Sequence, residues 1–118
     1  MYRYFLQGKI HRATITEADI EYEGSISICP DLLHAAGILE YERVDVYNVD
    51  NGERLTTYAI CGRERQICLN GAAAHKGKPG QKVIIAAYNC LSEEEIPVHR
   101  PRKVFVDDNN VKVRVCRG

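Results

Sequence analysis

No part of this sequence is apolar for long enough to cross a membrane. Its longest such run, Val83-Ile84-Ile85-Ala86-Ala87-Tyr88, stops after six residues, where a spanning helix needs about 20. The opening segment Met1-Tyr2-Arg3-Tyr4-Phe5-Leu6 has neither an apolar h-region nor a small-residue cleavage site, so no secretory signal is expected there. Excess charge is also missing. Sixteen basic residues balance sixteen acidic ones, and no basic run carries interleaved aromatics, which argues against a nucleic-acid partner. The five cysteines, at 29, 61, 68, 90 and 116, lack any pattern: they are odd in number, widely spaced, and form no C-x-x-C. That argues against a disulfide framework. Four histidines accompany them, yet no histidine pair has ligand spacing and Cys61 and Cys68 stand seven apart, so no metal site is expected. These absences describe a cytoplasmic globular chain.

At 118 residues the expectation is one domain, 1–118, near the commonest size. About a third of the surface exposed by the unfolded chain stays wet at this length. A roomy site would compete with the core for side chains, and building it between subunits relieves that competition.

What is there reads as mainly β. Lys9 to Ile15 is a strand that places Lys9, His11, Ala13 and Ile15 on one face. Ile20 to Ile28 also alternates, with Ile20, Tyr22, Gly24, Ile26 and Ile28 on one face and Glu21, Glu23, Ser25 and Ser27 on the other. Glycine inside a strand marks a bulge or a close backbone approach, so Gly24 has a reason to be there. By itself, Gly24-Ser25 is also an ordinary turn dipeptide. Pro30 suits the first turn of a short helix, Asp31 to Ala36, ended by Gly37.

Glu42 to Val49 and Arg54 to Ile60 flank Asp50-Asn51-Gly52-Glu53, a strong hairpin signal. On the return strand Arg54, Thr56 and Tyr58 share a face; Arg54 and Tyr58, roughly 13 Å apart along it, can line one pocket or simply face solvent. Ile67 to Leu69 is a short strand. Asn70 then caps one helical turn through Gly71-Ala72-Ala73-Ala74, whose free N–H groups can receive a carboxylate or merely form a tight connection.

Lys76 to Gly80 is a loop and Lys82 to Asn89 a central strand. Ser92-Glu93-Glu94-Glu95 has capping-box spacing for a brief helix stopped by Pro97. Lys103 to Asp107 and Val111 to Cys116 form a peripheral hairpin. Ala35-Ala36-Gly37 before Arg43 to Val46 is echoed by Ala73-Ala74-His75 before Lys82 to Ile85, as in a pseudo-symmetric barrel.

Several segments in order resemble the bacterial aspartate 1-decarboxylases. They are Leu6 to Arg12, Tyr22-Glu23-Gly24-Ser25, Ala35 to Glu40, Asn51 to Arg54 with Thr56-Thr57-Tyr58, and Leu69 to His75. The resemblance implies a six-stranded double-psi β-barrel with short helices, assembled as a homotetramer whose sites lie between subunits. It implies self-cleavage between Gly24 and Ser25, giving 1–24 and 25–118. The Ser25 hydroxyl attacks the Gly24 carbonyl, an ester forms, and elimination followed by hydrolysis leaves a pyruvoyl group and ammonia. The ketone of that covalently bound pyruvoyl cofactor condenses with an amine as PLP does. The implied reaction is decarboxylation of L-aspartate to β-alanine and CO2, supplying pantothenate and coenzyme A biosynthesis.

Residue by residue, the resemblance makes Thr57 an aid to cleavage and a substrate contact, and Tyr58 the proton donor. Lys9 and Arg54 become carboxylate partners, a point charge and a bidentate fork. Gly71, Ala72 and Ala73 become backbone contacts to substrate, while His11, Tyr22 and Asn70 match pocket positions without assigned roles. The sequence departs from the family after Ser25, where Ile26-Ser27 stands in place of a cysteine and a small residue; a changed processing rate is the expected consequence. The fold by itself equally suits a non-processing barrel that binds a small anion or serves assembly. Gly24-Ser25 in combination with Lys9, Arg54 and Tyr58 favours the enzyme.

Overall fold

The structure, a computed structural model, describes residues 1–118. Half of the chain is strand. In order come β1 (Tyr2–Thr14), β2 (Glu17–Asp19), β3 (Ser25–Ile28), α1 (Pro30–Ala36), β4 (Arg43–Asn48), β5 (Arg54–Cys61) and β6 (Ile67–Asn70). A 3₁₀ turn (Gly71–Lys76), β7 (Lys82–Ser92), a second 3₁₀ turn (Ile96–Val98), β8 (Arg102–Val106) and β9 (Lys112–Arg117) complete it. The expectation of a mainly β chain with short helices is met. The nine strands follow one hydrogen-bonded order, β2-β6-β3-β5-β4-β7-β1-β8-β9. The pairs β1/β8, β2/β6 and β3/β5 are parallel and the remaining ones antiparallel.

The core is aliphatic: Ile10, Ile15, Ile26, Ile28, Leu32 and Val104 are among its fully buried members. The face expected for Lys9, His11, Ala13 and Ile15 is corrected by a bulge. Ile10 lies opposite Ile85 but Ala13 opposite Val83, three steps on β1 against two on β7. Arg12, at φ 62°, absorbs the extra residue. A single added residue reverses strand parity, so Ile10 joins Ala13 and Ile15 in the core. Lys9 and His11 are left on the other side, which removes the mismatch of two cationic positions on an apolar face.

The short helix α1 forms as expected, with Pro30 in its first turn and Gly37 at its C-cap, where the Ile38 N–H bonds to the Leu33 carbonyl at 2.9 Å. The Asn51-Gly52 hairpin joins β4 to β5. The echoing strands β4 and β7 lie side by side, Val46 opposite Ile85. The capping box at Ser92 is reciprocal: the Ser92 N–H bonds Glu95 Oε1 at 2.9 Å and the Glu95 N–H bonds Ser92 Oγ at 3.3 Å. Hydrogen bonding to its carboxyl from the Ser92 backbone N–H, then from the Ser92 side chain, holds Glu95 below the usual carboxylate range. Pro97 does not stop a helix there; it sits inside the 3₁₀ turn, whose first residues need no N–H partner.

The C-terminal hairpin is not peripheral along its whole length. Strand β8 pairs in parallel with β1, and Val104 is fully buried. The turn between β8 and β9 is anchored by Asn110, 3% exposed. Its amide accepts the Thr14 N–H at 2.7 Å and donates to the carbonyls of Thr14 at 2.9 Å and Arg65 at 3.0 Å. Buried backbone groups left without partners cost about 1–3 kcal/mol. Asn110→Ala is therefore expected to lower the unfolding free energy by about 2 kcal/mol in urea titration. Asn109→Ala, on the exposed face of the same turn, should change it by less than about 0.5 kcal/mol.

Candidate active site

Ser25 is the first residue of β3 and is fully buried, whereas Ile20 to Gly24 before it are exposed. The continuous strand expected from Ile20 to Ile28 is thus corrected. The chain turns after β2, bends at Gly24, and enters the sheet only at Ser25. All four residues of β3 are buried, because β5 and β6 flank the strand and both of its faces are covered. Alternation in the sequence there reflects the chemistry of the site more than a wet face.

Opposite Ser25 on β6 stands Asn70, and opposite Ser27 stands Cys68. The Asn70 amide nitrogen donates to Ser25 Oγ and to Ser27 Oγ, each at 2.9 Å. Ser25 Oγ donates in turn to the Glu23 carbonyl at 3.0 Å. Asn70 was expected to cap the following helical turn; its side chain makes no cap bond, being held by the two serines. That turn is a 3₁₀ helix.

The close approach expected at Gly24 exists, but the residue that must be glycine for it is Gly71. Gly71 lies at φ +63°, and a Cβ there would come within 2.7–2.8 Å of Gly24 N and Cα and of the Tyr22 carbonyl oxygen. A Cβ on Gly24 would meet nothing within 4 Å. The backbone of residues 22–24 therefore rests on Gly71 while the outer flank of Gly24 stays open. Tyr22 is half-exposed on this segment, at 55%. Ala72 is exposed and Ala73 buried in the turn that follows, which packs against β2, β3, β5 and β6.

Strand β5 runs parallel to β3 with Ile26 opposite Ala59, so Tyr58 holds the position beside Ser25, one strand away. Thr57 and Tyr58 are half-buried. The Tyr58 ring lies 6.4 Å from that of Tyr41. At the far end of β5, exposed Arg54 places its guanidinium 4.4 Å from the centre of the Tyr47 ring. It lines a cavity of about 230 Å³ with Asp45, Tyr47, Leu55 and Thr56. The Tyr47 hydroxyl is 2.9 Å from that of Tyr88, and burial with this bond pushes Tyr47 above the ordinary phenol range. A larger neighbouring cavity, about 460 Å³, is lined by Tyr4, Arg43, Val44, Asp45 and Tyr88. Neither cavity is lined by Ser25.

Lys9 and His11 lie on β1, which β5, β4 and β7 separate from β3 in the sheet order. Lys9 and Arg54 enter no salt bridge. The His11 ring lies 5.3 Å from Phe105, and its Nδ1 is buried without a partner. Burial first, then the charges of Lys9 and Arg12, hold His11 below the usual imidazole range.

The structure thus gathers Tyr22, Gly24, Ser25, Asn70 and Gly71 into one cluster, with Thr57 and Tyr58 on the adjacent strand. Arg54 is at the other end of that adjacent strand, and Lys9 and His11 are on β1, four places from β3 in the hydrogen-bonded order. Sequence reasoning gave no role to Ser27, Cys68 or Tyr47. Period two carries the signal for the first two, since Ser27 shares a strand face with Ser25 and Cys68 with Asn70. Only pairing shows that the two faces meet.

Gly71→Ala is expected to displace residues 22–24, speeding limited proteolysis of that segment several-fold while the urea midpoint falls. For His11 the folded protein binds fewer protons than the unfolded chain below pH ~6.5. Stability is then complete above that pH and declines as pH falls toward the lowered value of the folded state. Urea midpoints measured from pH 7.5 to 5 should show a decline that is shallower in His11→Gln.

The aspartate decarboxylase family model matches residues 1–113. An aspartate 1-decarboxylase of Tolumonas auensis is 50% identical over 119 aligned positions, 99% of this chain and 94% of the relative. Those of Bdellovibrio bacteriovorus and Ruminiclostridium cellulolyticum are 55% and 57% identical, each over 89% of this chain and over 85% and 84% of their own lengths. With a match over nearly all its length, the chain belongs to the aspartate decarboxylase family.

Proposed function

We propose that this chain cuts itself between Gly24 and Ser25 and then decarboxylates L-aspartate to β-alanine and CO2, the β-alanine feeding pantothenate biosynthesis in the cytoplasm. The carrying observation is the fully buried Ser25 hydroxyl, held by Asn70 where an exposed bend at Gly24 enters the sheet. A serine in a plain strand needs no such grip. In the cut, Ser25 Oγ bonds to the Gly24 carbonyl carbon as the Gly24–Ser25 amide breaks, the hydroxyl proton ending on the released Ser25 nitrogen. The ester then eliminates, Gly24 leaving as a carboxylate as the Ser25 α-proton departs, and water hydrolyses the remaining dehydroalanine to the pyruvoyl group and ammonia. Thr57, on the neighbouring strand, assists the cleavage.

The residues around Ser25 fit a pyruvoyl group formed there. Asn70 offers N–H donors to the position, and no acidic side chain takes part in the hydrogen bonds of Ser25. Such a group acts as an electron sink for the pair left behind when CO2 departs. The chain's own residues do the remaining work. Arg54, steadied on Tyr47, and Lys9 bind the two substrate carboxylates, the fork and the point charge suiting different oxygens. Backbone groups of Gly71, Ala72 and Ala73 hold the substrate beside Ser25, and Tyr58 delivers the proton that replaces the carboxylate. Tyr22, His11 and Asn70 shape the pocket.

Six of the strands are proposed to close as a double-psi β-barrel, and four chains to assemble with sites between neighbours. Neither cavity of one chain is lined by Ser25, which supports a site completed by a second copy.

Intact-mass measurement of purified protein is expected to show residues 1–24 and 25–118, pieces of 24 and 94 residues. The larger piece should resist Edman sequencing and be trapped by reduction with aspartate. A chain that stays whole on prolonged warming would refute the proposal. Ser25→Ala should abolish cleavage and turnover together. Tyr58→Phe should still cleave but lose about 100-fold or more in turnover; undiminished turnover would remove its role as proton donor.

A further inference from the structure

Behind Asn70, away from Ser25, lies a contact that the proposed reaction has not used. Cys68 is buried at 3% exposure, and its thiol donates to Asn70 Oδ1 at 3.1 Å. The two residues alternate along β6, so both side chains point to the same face as Ser25 and Ser27 on β3. Four side chains thus form one chain of bonds. The thiol of Cys68 donates to the Asn70 oxygen, the Asn70 nitrogen donates to both serines, and Ser25 donates to the Glu23 carbonyl.

An asparagine amide is nearly symmetric in shape but opposite in chemistry at its two ends. Rotated by half a turn, it would present its carbonyl oxygen to Ser25 and Ser27 and its N–H₂ to the sulfur. The Ser25 proton would then be drawn to Asn70, and the bond to Glu23 lost. Both orientations fill the same space, so packing does not choose between them. The partner of Oδ1 biases the choice. In the observed orientation the thiol proton, a weak donor, meets the amide oxygen, whereas in the other the strong N–H donors would be spent on a weakly accepting sulfur. Ser27, taking the second N–H, satisfies the amide in the same orientation.

We propose that Cys68 is a positioning residue for self-cleavage, orienting the Asn70 amide so that its N–H, and not its carbonyl, faces Ser25 Oγ. This inference rests on the self-cleaving reading above. When Oγ attacks the Gly24 carbonyl, its proton leaves and negative charge passes through the serine oxygen on its way to the Gly24 carbonyl oxygen. A preoriented N–H stabilises that charge, whereas a carbonyl oxygen in the same place repels it. Cys68 never touches the reacting atoms; it acts through Asn70. Burial, followed by the negative charges of Glu17 and Asp19, raises the thiol above its ordinary range, which keeps the donor proton in place.

The test compares matched pairs at position 68 in the full chain, following conversion of freshly purified precursor by intact mass. Cys68→Ser keeps a donor and is expected to cleave within about threefold of the parent. Cys68→Ala lacks it and should cleave about tenfold slower, the loss of roughly one hydrogen bond in the barrier. Cys68→Thr and Cys68→Val, equal in shape, repeat the comparison if the alanine variant fails to fold, with threonine the faster. Removing Asn70 as well supplies the readout that mere packing would not move: in an Asn70→Ala background, Cys68→Ala should cause no further slowing. Equal rates for the donor and non-donor members of a pair, or a full additional loss in the Asn70→Ala background, would overturn the role of Cys68. Those outcomes leave self-cleavage intact, whereas a parent chain that never cleaves overturns the underlying reading instead.

Discussion

A fully buried serine hydroxyl must find hydrogen-bond partners, and the pairing of β3 with β6 provides them. Ser25 is fully enclosed, yet it both accepts from Asn70 and donates to Glu23. The rest of the local architecture follows from that requirement. Asn70 gives up its expected capping role, the succeeding turn tightens to 3₁₀ geometry, and Gly71 makes room for the backbone of residues 22–24. A buried polar network is favourable only when each member is satisfied. Here the amide uses both N–H groups and its oxygen, so the grip on Ser25 holds a single orientation.

The charges follow a complementary logic. Lys9 and Arg54 are free of ion pairs, and so is Asp45, the acidic residue lining both cavities. Asp45 accepts from Thr56 at 2.7 Å, and Arg54 rests against a tyrosine face instead of a carboxylate. Arg54 stands at the far end of β5, the strand beside Ser25, whereas Lys9 lies four strands away in the hydrogen-bonded order.

Much of this was legible in residue pattern. The helix ended by Gly37, the hairpin at Asn51-Gly52 and the reciprocal box at Ser92 rest on local chemistry, and each formed where expected. The failures share a cause, namely that parity counts residues along one strand and cannot register what a neighbour imposes. The Arg12 bulge brought Ile10 onto the core face of Ala13 and Ile15 and put Lys9 and His11 on the other. The hairpin judged peripheral was drawn inward because β8 found a parallel partner in β1 and Asn110 a set of backbone groups to satisfy.

The sequence by itself determined the dominance of strands, the short turns between them, the family resemblance and the residues competent for chemistry. Those depend on side-chain identity and near-neighbour spacing, which any reader of the chain can count. Only the tertiary structure decided which of the competent residues meet. It set Ser25 against Asn70, put Cys68 behind that amide, and passed the need for glycine from residue 24 to residue 71. Strand pairing between distant segments is settled by burial and hydrogen-bond satisfaction over the whole fold, and neither quantity exists until the chain has closed on itself.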